Sequence, residues 1–225
     1  MIHDTLDFSD HFTSGVYPAF LWLFKEILPE LRHHFSFHDH LLLLVEQWKQ
    51  SIRETQTKNV IFVGVHCRRT DYQNHLNTLY EKATLVDKVF FDVAFDIYRS
   101  RYDVEKNKVI FLAVSDDSEW IKVSGLITNI LSAITALLQA NLDHHPDVRF
   151  GADFSAQKVS KDDLVGFDLC VLATSHHSVH TYGTFGLWGS LLAGGDVVVT
   201  KGRVEVGLYS VFWETHAHVL SRRVL

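Results

Sequence analysis

Residues 59–72, NVIFVGVHCRRTDY, run from an unbroken apolar stretch straight into two adjacent arginines and an aspartate. Val60, Ile61, Phe62, Val63 and Val65 show none of the polar alternation of a strand with one wet face, so they predict a strand buried on both sides. Such strands belong to parallel sheets covered by helices, which sets the expected class as α/β. His66, Arg68, Arg69 and Asp71 then stand at the carboxyl end of that strand, where open α/β sheets bind ligands. Two arginines there suit an oxyanion, because a guanidinium donates two parallel hydrogen bonds to one. The same residue types also suit a surface ion pair with Asp71, and taken alone they leave both readings open.

Two helices are expected ahead of this strand. Tyr17 to Phe35 carries Phe20, Leu21, Leu23, Phe24, Ile27, Leu28 and Leu31 at helical spacing, with Pro29 as a kink or break. Asp39 opens the second helix, which sets Leu41, Leu42, Val45 and Trp48 on one face and Lys49 and Arg53 near its end. Beyond the arginines a long helix is expected over Val86 to Arg101, then a second buried strand over Lys108 to Val114 (KVIFLAV) ending in Ser115, Asp116 and Asp117. These three can cap a following helix or contact a nucleotide at the strand's end. Asp147 to Gly151 predicts a third strand and Phe167 to Ala173 (FDLCVLA) a fourth, with a short helix opening at Asp162 to Leu164 between them. A last unit, TYGTFGLWGSLLAGG over Thr181 to Gly195, leads into strand Asp196 to Thr200. Gly183 and Gly186 flank Thr184 and Phe185 where a helix should begin, which fits a Gly-rich turn or backbone N–H groups presented to an anion.

Composition narrows the function. A net charge of −6 argues against a protein that binds nucleic acid by neutralising its backbone, so any basic site must be local. The two cysteines, Cys67 and Cys170, make no disulfide framework. Ten of the fifteen histidines fall in pairs or near pairs (His33/His34, His38/His40, His144/His145, His176/His177, His216/His218) without a zinc spacing, so solvated or capping roles are expected and no metal. Met1 to Ser14 resembles neither a signal nor a transit peptide, so the chain is cytosolic or its front end is missing. No N-x-S/T sequon occurs.

Val123 to Leu142 is uncharged over twenty residues, long enough for a membrane span. Leu126, Ile127, Ile130, Leu131, Ile134, Leu137 and Leu138 nevertheless fall on one helical stripe, so an amphipathic helix covering the sheet is expected instead. Removing 123–139 would leave an ordinary strand–helix–strand unit. A valine codon begins GT and a glutamine codon can end AG, so a retained intron read in frame is a second hypothesis. A mature transcript that always carries this stretch would exclude it.

Taken together, the three strand-end motifs resemble those of the α-1,2-fucosyltransferases of glycosyltransferase family 11. FVGVHCRRTDY is similar to the H-x-R-R-x-D motif shared with α-1,6- and protein O-fucosyltransferases. FLAVSDDSEW is similar to the second block, and HTYGTFGLWGSLLAGGD to the third, which reads close to T-x-G-T-F-G-x-W-x-x-x-L-x-G-G-D in family 11. FSFHDHL near the front is similar to the segment preceding the donor lobe, so the resemblance spans about Phe20 to Gly202. It implies the Rossmann-like donor lobe of a GT-B-like enzyme that moves L-fucose from GDP-fucose to the 2-hydroxyl of a terminal galactose, with inversion and no essential metal. In such a lobe Arg69, with Arg68, would hold the diphosphate. His66 and Asp116 would lie near the guanine end, Ser115 would contact the nucleotide, and Thr184 and Phe185 would complete the phosphate cradle. Asp71 and His66 are the candidate general bases.

The chain departs from the family in two respects. The family's short cytosolic tail, membrane anchor and stem, which imply a lumenal Golgi location, are not seen, and the G-N-Q motif of the front lobe is absent from the 65 residues before His66. The expected organisation is a helical segment over 1–56 left from the acceptor lobe, a GDP-fucose-binding α/β domain over 57–203 containing the amphipathic insert 123–139, and a tail over 204–225 packing on it. The expected partners are GDP-fucose and a β-galactoside-terminated glycan, with a membrane reached only through an anchor. The alternatives are a non-catalytic GDP-sugar-binding fragment of the same family and a nucleotide-binding α/β module of another class.

Overall fold

The structure, a computed structural model, describes residues 28–79, 85–86, 88–121, 142, 144–200 and 217–220. Two helices, α1 (Leu28–His34) and α2 (Asp39–Arg53), precede strand β1 (Asn59–Cys67). Next come α3 (Tyr72–Leu79), α4 (Lys88–Arg101), β2 (Asn107–Ser115), the short α5 (Ser118–Ile121), β3 (Val148–Phe150) and α6 (Gly151–Lys158). A 3-10 turn (Lys161–Asp163), α7 (Leu164–Ala173), β4 (His177–His180), α8 (Gly183–Ala193), β5 (Val197–Thr200) and β6 (Ala217–Leu220) follow. The part of Tyr17 to Phe35 that precedes α1 lies outside the described residues, and Pro29 falls in the first turn of α1, where its missing N–H breaks no helical bond.

The strands form one six-stranded sheet in the order β3-β2-β1-β4-β5-β6, and every pairing is parallel. That is the doubly wound, Rossmann-like order, which reverses direction between β1 and β4. The continuous apolar runs have a simple cause, since both faces of the sheet are covered. On one face Val63, Val65, Val109 and Phe111 pack against Phe91, Ala94, Phe95 and Tyr98 of α4. On the other, Phe62, Ile110 and Leu112 meet Leu41, Val45, Trp48 and Ile52 of α2 and Phe167, Cys170 and Val171 of α7. The two preceding helices therefore do not stand apart from the sheet: α2 closes one of its faces. Burying each such large side chain contributes about 1.5–3 kcal/mol before chain entropy is counted.

The expected fourth strand is not a strand. FDLCVLA lies within α7, and β4 is the next four residues after a short turn, HSVH. A short apolar run bounded by turns fits a buried helix as well as a buried strand, and α7, wedged between α2, α8 and the sheet, presents apolar side chains in every direction. Cys170 moves with this correction: it lies in a helix on one face of the sheet, while Cys67 faces the other core, so the two buried thiols are separated by the sheet. Helix α3, directly after the arginines, has no counterpart among the elements expected from sequence.

The uncharged stretch falls outside the described residues except for Leu142. The Leu142 N–H donates to the carbonyl of Ile121, which precedes the stretch, at 3.0 Å, and both side chains are buried in the core under α4. Ile121 and Leu142 are thus neighbours in the fold. Among the described residues no helix is long and apolar enough to cross a membrane.

Candidate functional site

Three loops meet at the carboxyl edge of the sheet where its order reverses. Thr181, following β4, ties two of them together: its N–H donates to the His66 carbonyl (3.2 Å) and its Oγ1 accepts the Arg68 N–H (3.0 Å). The loop after β2 holds the third. Ser115 Oγ donates to the Cys67 carbonyl at 2.7 Å and accepts the Asp117 N–H at 3.0 Å. Asp116 grips the arginine loop itself, Oδ1 accepting the Arg69 N–H (2.9 Å) and Oδ2 accepting the Thr70 N–H (3.1 Å) and hydroxyl (2.5 Å). Asp117 accepts the Trp120 N–H at 3.0 Å, so it is Asp117 that caps α5. Ser115 and Asp116, expected toward the nucleotide, here shape the loop that carries the arginines.

The two arginines are held differently. Arg68 is engaged through its in-plane donors: Nη1 lies 3.0 Å from Asp116 and Nη2 lies 2.7 Å from Asp71. The ion pair that competed with an anion site in the sequence therefore exists, on Arg68. The Arg69 guanidinium carbon sits over the Trp120 ring, 3.6 Å from its centroid. Its Nη1 donates to the Val86 carbonyl at 3.3 Å and its Nε stands 3.9 Å from Asp117. No described residue accepts from Nη2. Its side chain is 18% exposed, against 35% for Arg68, so the free edge sits in a partly desolvated position where an anion gains most.

Helix α8 supplies the opposing wall. Gly183 takes φ +80°, a left-handed turn that lets the helix start immediately after Tyr182, and Tyr182 gives it no side-chain cap. Among the described residues no side chain caps the first N–H groups of α8, those of Thr184 and Phe185 among them, at the positive end of the helix dipole. The opposite ends of the helices are neutralised, Arg32 Nε donating to the Leu191 carbonyl of α8 and Lys49 Nζ to the Thr174 carbonyl and hydroxyl beyond α7. Tyr72 stacks on Tyr182 with ring centroids 4.9 Å apart, closing one side.

Beneath the loops lie two histidines in register on adjacent strands, His66 and His180. Gly186 makes room for them, since a Cβ there would come within 2.7 Å of His66 Nδ1 and 2.8 Å of His180 Cβ. Burial pushes the His66 imidazole down to about 4, against the pull of Asp116 and with a smaller push from Arg68. Burial and then His66 push His180 down to about 3. Both rings are therefore neutral at pH 7. The Nδ1 of His66 is buried without a hydrogen-bond partner among the described residues, and Phe185 packs against the ring at 5.1 Å. A neutral, weakly basic imidazole suits a hydrogen-bonding role better than proton abstraction. Asp71, the other candidate base, is mostly exposed and occupied by Arg68.

Two of the remaining histidine pairs make hydrogen bonds within the fold. His176 Nδ1 accepts the N–H of Phe62, inside β1 just ahead of its pairing with β4, and His177 Nδ1 accepts the N–H of Asp196, just ahead of β5. His216 and the His218 side chain lie outside the described residues. Asp92, His144 and His145 cluster closely enough to hold a metal ion, but their chemistry favours a hydrogen-bond network. The Arg99 guanidinium donates to His145 Nδ1 (3.2 Å), which leaves the ring proton on Nε2, facing Asp92 at 2.9 Å, and Lys88 neutralises the same carboxylate.

Trp120 is the residue that reasoning from sequence missed. It ends the FLAVSDDSEW block, and the only signal was its place one helical turn past a strand-end acidic pair.

The family description "Glycosyl transferase family 11" matches residues 6–133, more than half of the chain. The chain belongs to glycosyltransferase family 11. It is 29% identical over 182 residues to "Galactoside 2-alpha-L-fucosyltransferase Sec1" of Mus musculus, a match covering 81% of this chain and 42% of that protein. It is 27% identical over 183 residues to "Galactoside alpha-(1,2)-fucosyltransferase 2" of Pongo pygmaeus (81% and 45%) and 27% identical over 185 residues to "Galactoside alpha-(1,2)-fucosyltransferase 1" of Sus scrofa (81% and 43%). The chain thus spans less than half the length of these relatives. No solved structure matches it.

Proposed function

We propose that this chain carries the donor site of a galactoside 2-alpha-L-fucosyltransferase, binding GDP-fucose so that L-fucose passes, with inversion, to the 2-hydroxyl of a terminal galactose. The observation that carries the reading is Arg69: a guanidinium whose Nη2 no described residue accepts from, at the switch point of a Rossmann-like sheet, in a loop tied by Thr181 to the start of α8, which has no side-chain cap. A diphosphate leaving group gathers negative charge as the C–O bond to fucose breaks. Donors already fixed in a partly desolvated site stabilise that charge without reorganising, and such stabilisation commonly contributes more to catalysis than any other effect. Arg69 and the N–H groups of Thr184 and Phe185 are those donors, and the neutral His66 offers one more polar contact from below. No step in this scheme is assigned to a metal. A galactose-ended glycan is the acceptor, in the Golgi lumen if the family's usual location applies.

Transfer and binding separate in one experiment. With GDP-fucose and a β-galactoside, release of GDP matched by fucosylated product is expected. GDP binding without product would support the alternative of a non-catalytic GDP-sugar-binding chain, and absence of GDP binding would remove both.

A further inference from the structure

We propose that Tyr182 is a positioning residue for the diphosphate site: it holds the start of α8 to the arginine loop by stacking on Tyr72, and so keeps the first N–H groups of α8 for an anion instead of capping them. This rests on the GDP reading above and adds to it an aromatic pair, Tyr72 and Tyr182.

The residue before a helix is usually serine, threonine, aspartate or asparagine, whose side-chain oxygen turns back onto the first N–H groups and stabilises the helix. Tyr182 occupies that position for α8 in extended backbone, φ −134° and ψ 165°, and makes no such bond. Its ring is buried and lies nearly parallel to Tyr72, with planes 17° apart and centroids 4.9 Å apart. Tyr72 is fixed from its own side. Its N–H donates to the Arg69 carbonyl at 3.1 Å, closing the turn that carries both arginines, and His75 tilts against its ring at 5.1 Å. A Cβ built on Gly183 would stand 3.7 Å from Tyr72 Cε2, so the Tyr72 ring reaches the turn from which α8 begins. Thr181 joins the same two walls at the strand ends, and the tyrosine stack joins them one residue farther on. A helix start held by ring packing keeps its donors, whereas one held by a capping oxygen uses one of them. Donors fixed before the ligand arrives lose less freedom on binding, which raises affinity without a new contact.

The test uses the full 225-residue chain, with GDP affinity read by calorimetric titration and stability by urea denaturation. Tyr182→Ala removes the stack and supplies no cap; Tyr182→Ser removes the same stack and supplies one. Compared with Tyr182→Ala, Tyr182→Ser is expected to unfold at higher urea yet bind GDP about threefold more weakly. Opposite signs of that kind do not arise from a merely structural role. Tyr72→Ala and Tyr182→Ala are each expected to weaken GDP binding about fivefold, the double variant no further, and Tyr182→Phe, which keeps the ring, to restore it. The role is overturned if Tyr182→Ser binds GDP as tightly as Tyr182→Ala or unfolds no later, or if the two alanine losses multiply. Should the changes at the buried Tyr182 prevent folding, the half-buried Tyr72 decides: Tyr72→Ala binding GDP like the wild type overturns the role. A wild-type chain that binds no GDP removes the GDP reading and this role with it, while wild-type binding with flat affinity across the variants overturns this role alone.

Discussion

Arg68 and Arg69 are neighbours in sequence and opposites in setting. Arg68 is held by two aspartates and is the more exposed; Arg69 sits over a tryptophan ring, and no described residue accepts from its Nη2. The difference shows that two identical side chains at a strand end need not share one job. One latches the loop through Asp116, which also carries two backbone N–H groups, and the other is the arginine that the proposed function assigns to a ligand.

The sharpest way to break this contrast is to remove each arginine in turn. Arg69→Ala should cost GDP binding on the order of 1.5–3 kcal/mol, the worth of a charged hydrogen-bonded contact. Arg68→Ala, which removes mainly exposed ion pairs, should change it by about 1 kcal/mol or less. Calorimetric titration reads both, and equal losses would erase the distinction. Next in size, Asp116→Ala leaves the Arg69 and Thr70 N–H groups without their acceptor and should lower stability by about 1–3 kcal/mol in chemical denaturation, with a loss of GDP affinity as the loop loosens.

Acid should act on the buried layer beneath the arginines rather than on the arginines themselves. His66 and His180 titrate near 4 and 3 in the folded chain but near 6.5 when unfolded. Below pH 6.5 the unfolded chain therefore takes up protons that the folded chain refuses, and stability falls as pH drops toward 4. Asp168, raised by burial to about 7 from 3.8, works the other way, since the unfolded chain releases its proton while the folded chain keeps it, so stability falls as pH rises from 4 to 7. Two histidines against one aspartate leave a net loss of stability on acidification from 6.5 to 4, and His145, His176 and His177, also lowered by burial, add to it. Asp168→Asn should steepen that loss in melts followed by circular dichroism. The smallest effect belongs to the exposed partner of Arg68: Asp71→Asn should shift stability by about 0.5 kcal/mol or less.

Much of this was legible in the chain, for reasons that also explain what was not. NVIFVGVHC and FDLCVLA look alike as apolar runs, yet one is β1 and the other sits in α7. Residue type cannot separate a strand covered on both faces from a helix buried on all sides, because both present only apolar neighbours. What distinguishes them is the four residues HSVH, whose polar look hid a central strand: His176 and His177 accept backbone N–H groups and His180 is buried beside His66. The start of α8 was readable because Gly183 and Gly186 meet backbone demands that few other residues meet. The division of labour between the arginines was not, since it depends on Trp120 and Asp116 arriving from another strand. Of the two alternatives posed for the arginines, the arginine–aspartate pair is present on Arg68, and the anion site is a proposal for Arg69.

A structure of the full chain with GDP bound tests the central claim most directly. The diphosphate should lie against Arg69 Nη2 and the N–H groups of Thr184 and Phe185, with Arg69 still over the Trp120 ring and Arg68 still paired to Asp116. A diphosphate held instead by Arg68, with Arg69 unchanged and untouched, would contradict the account.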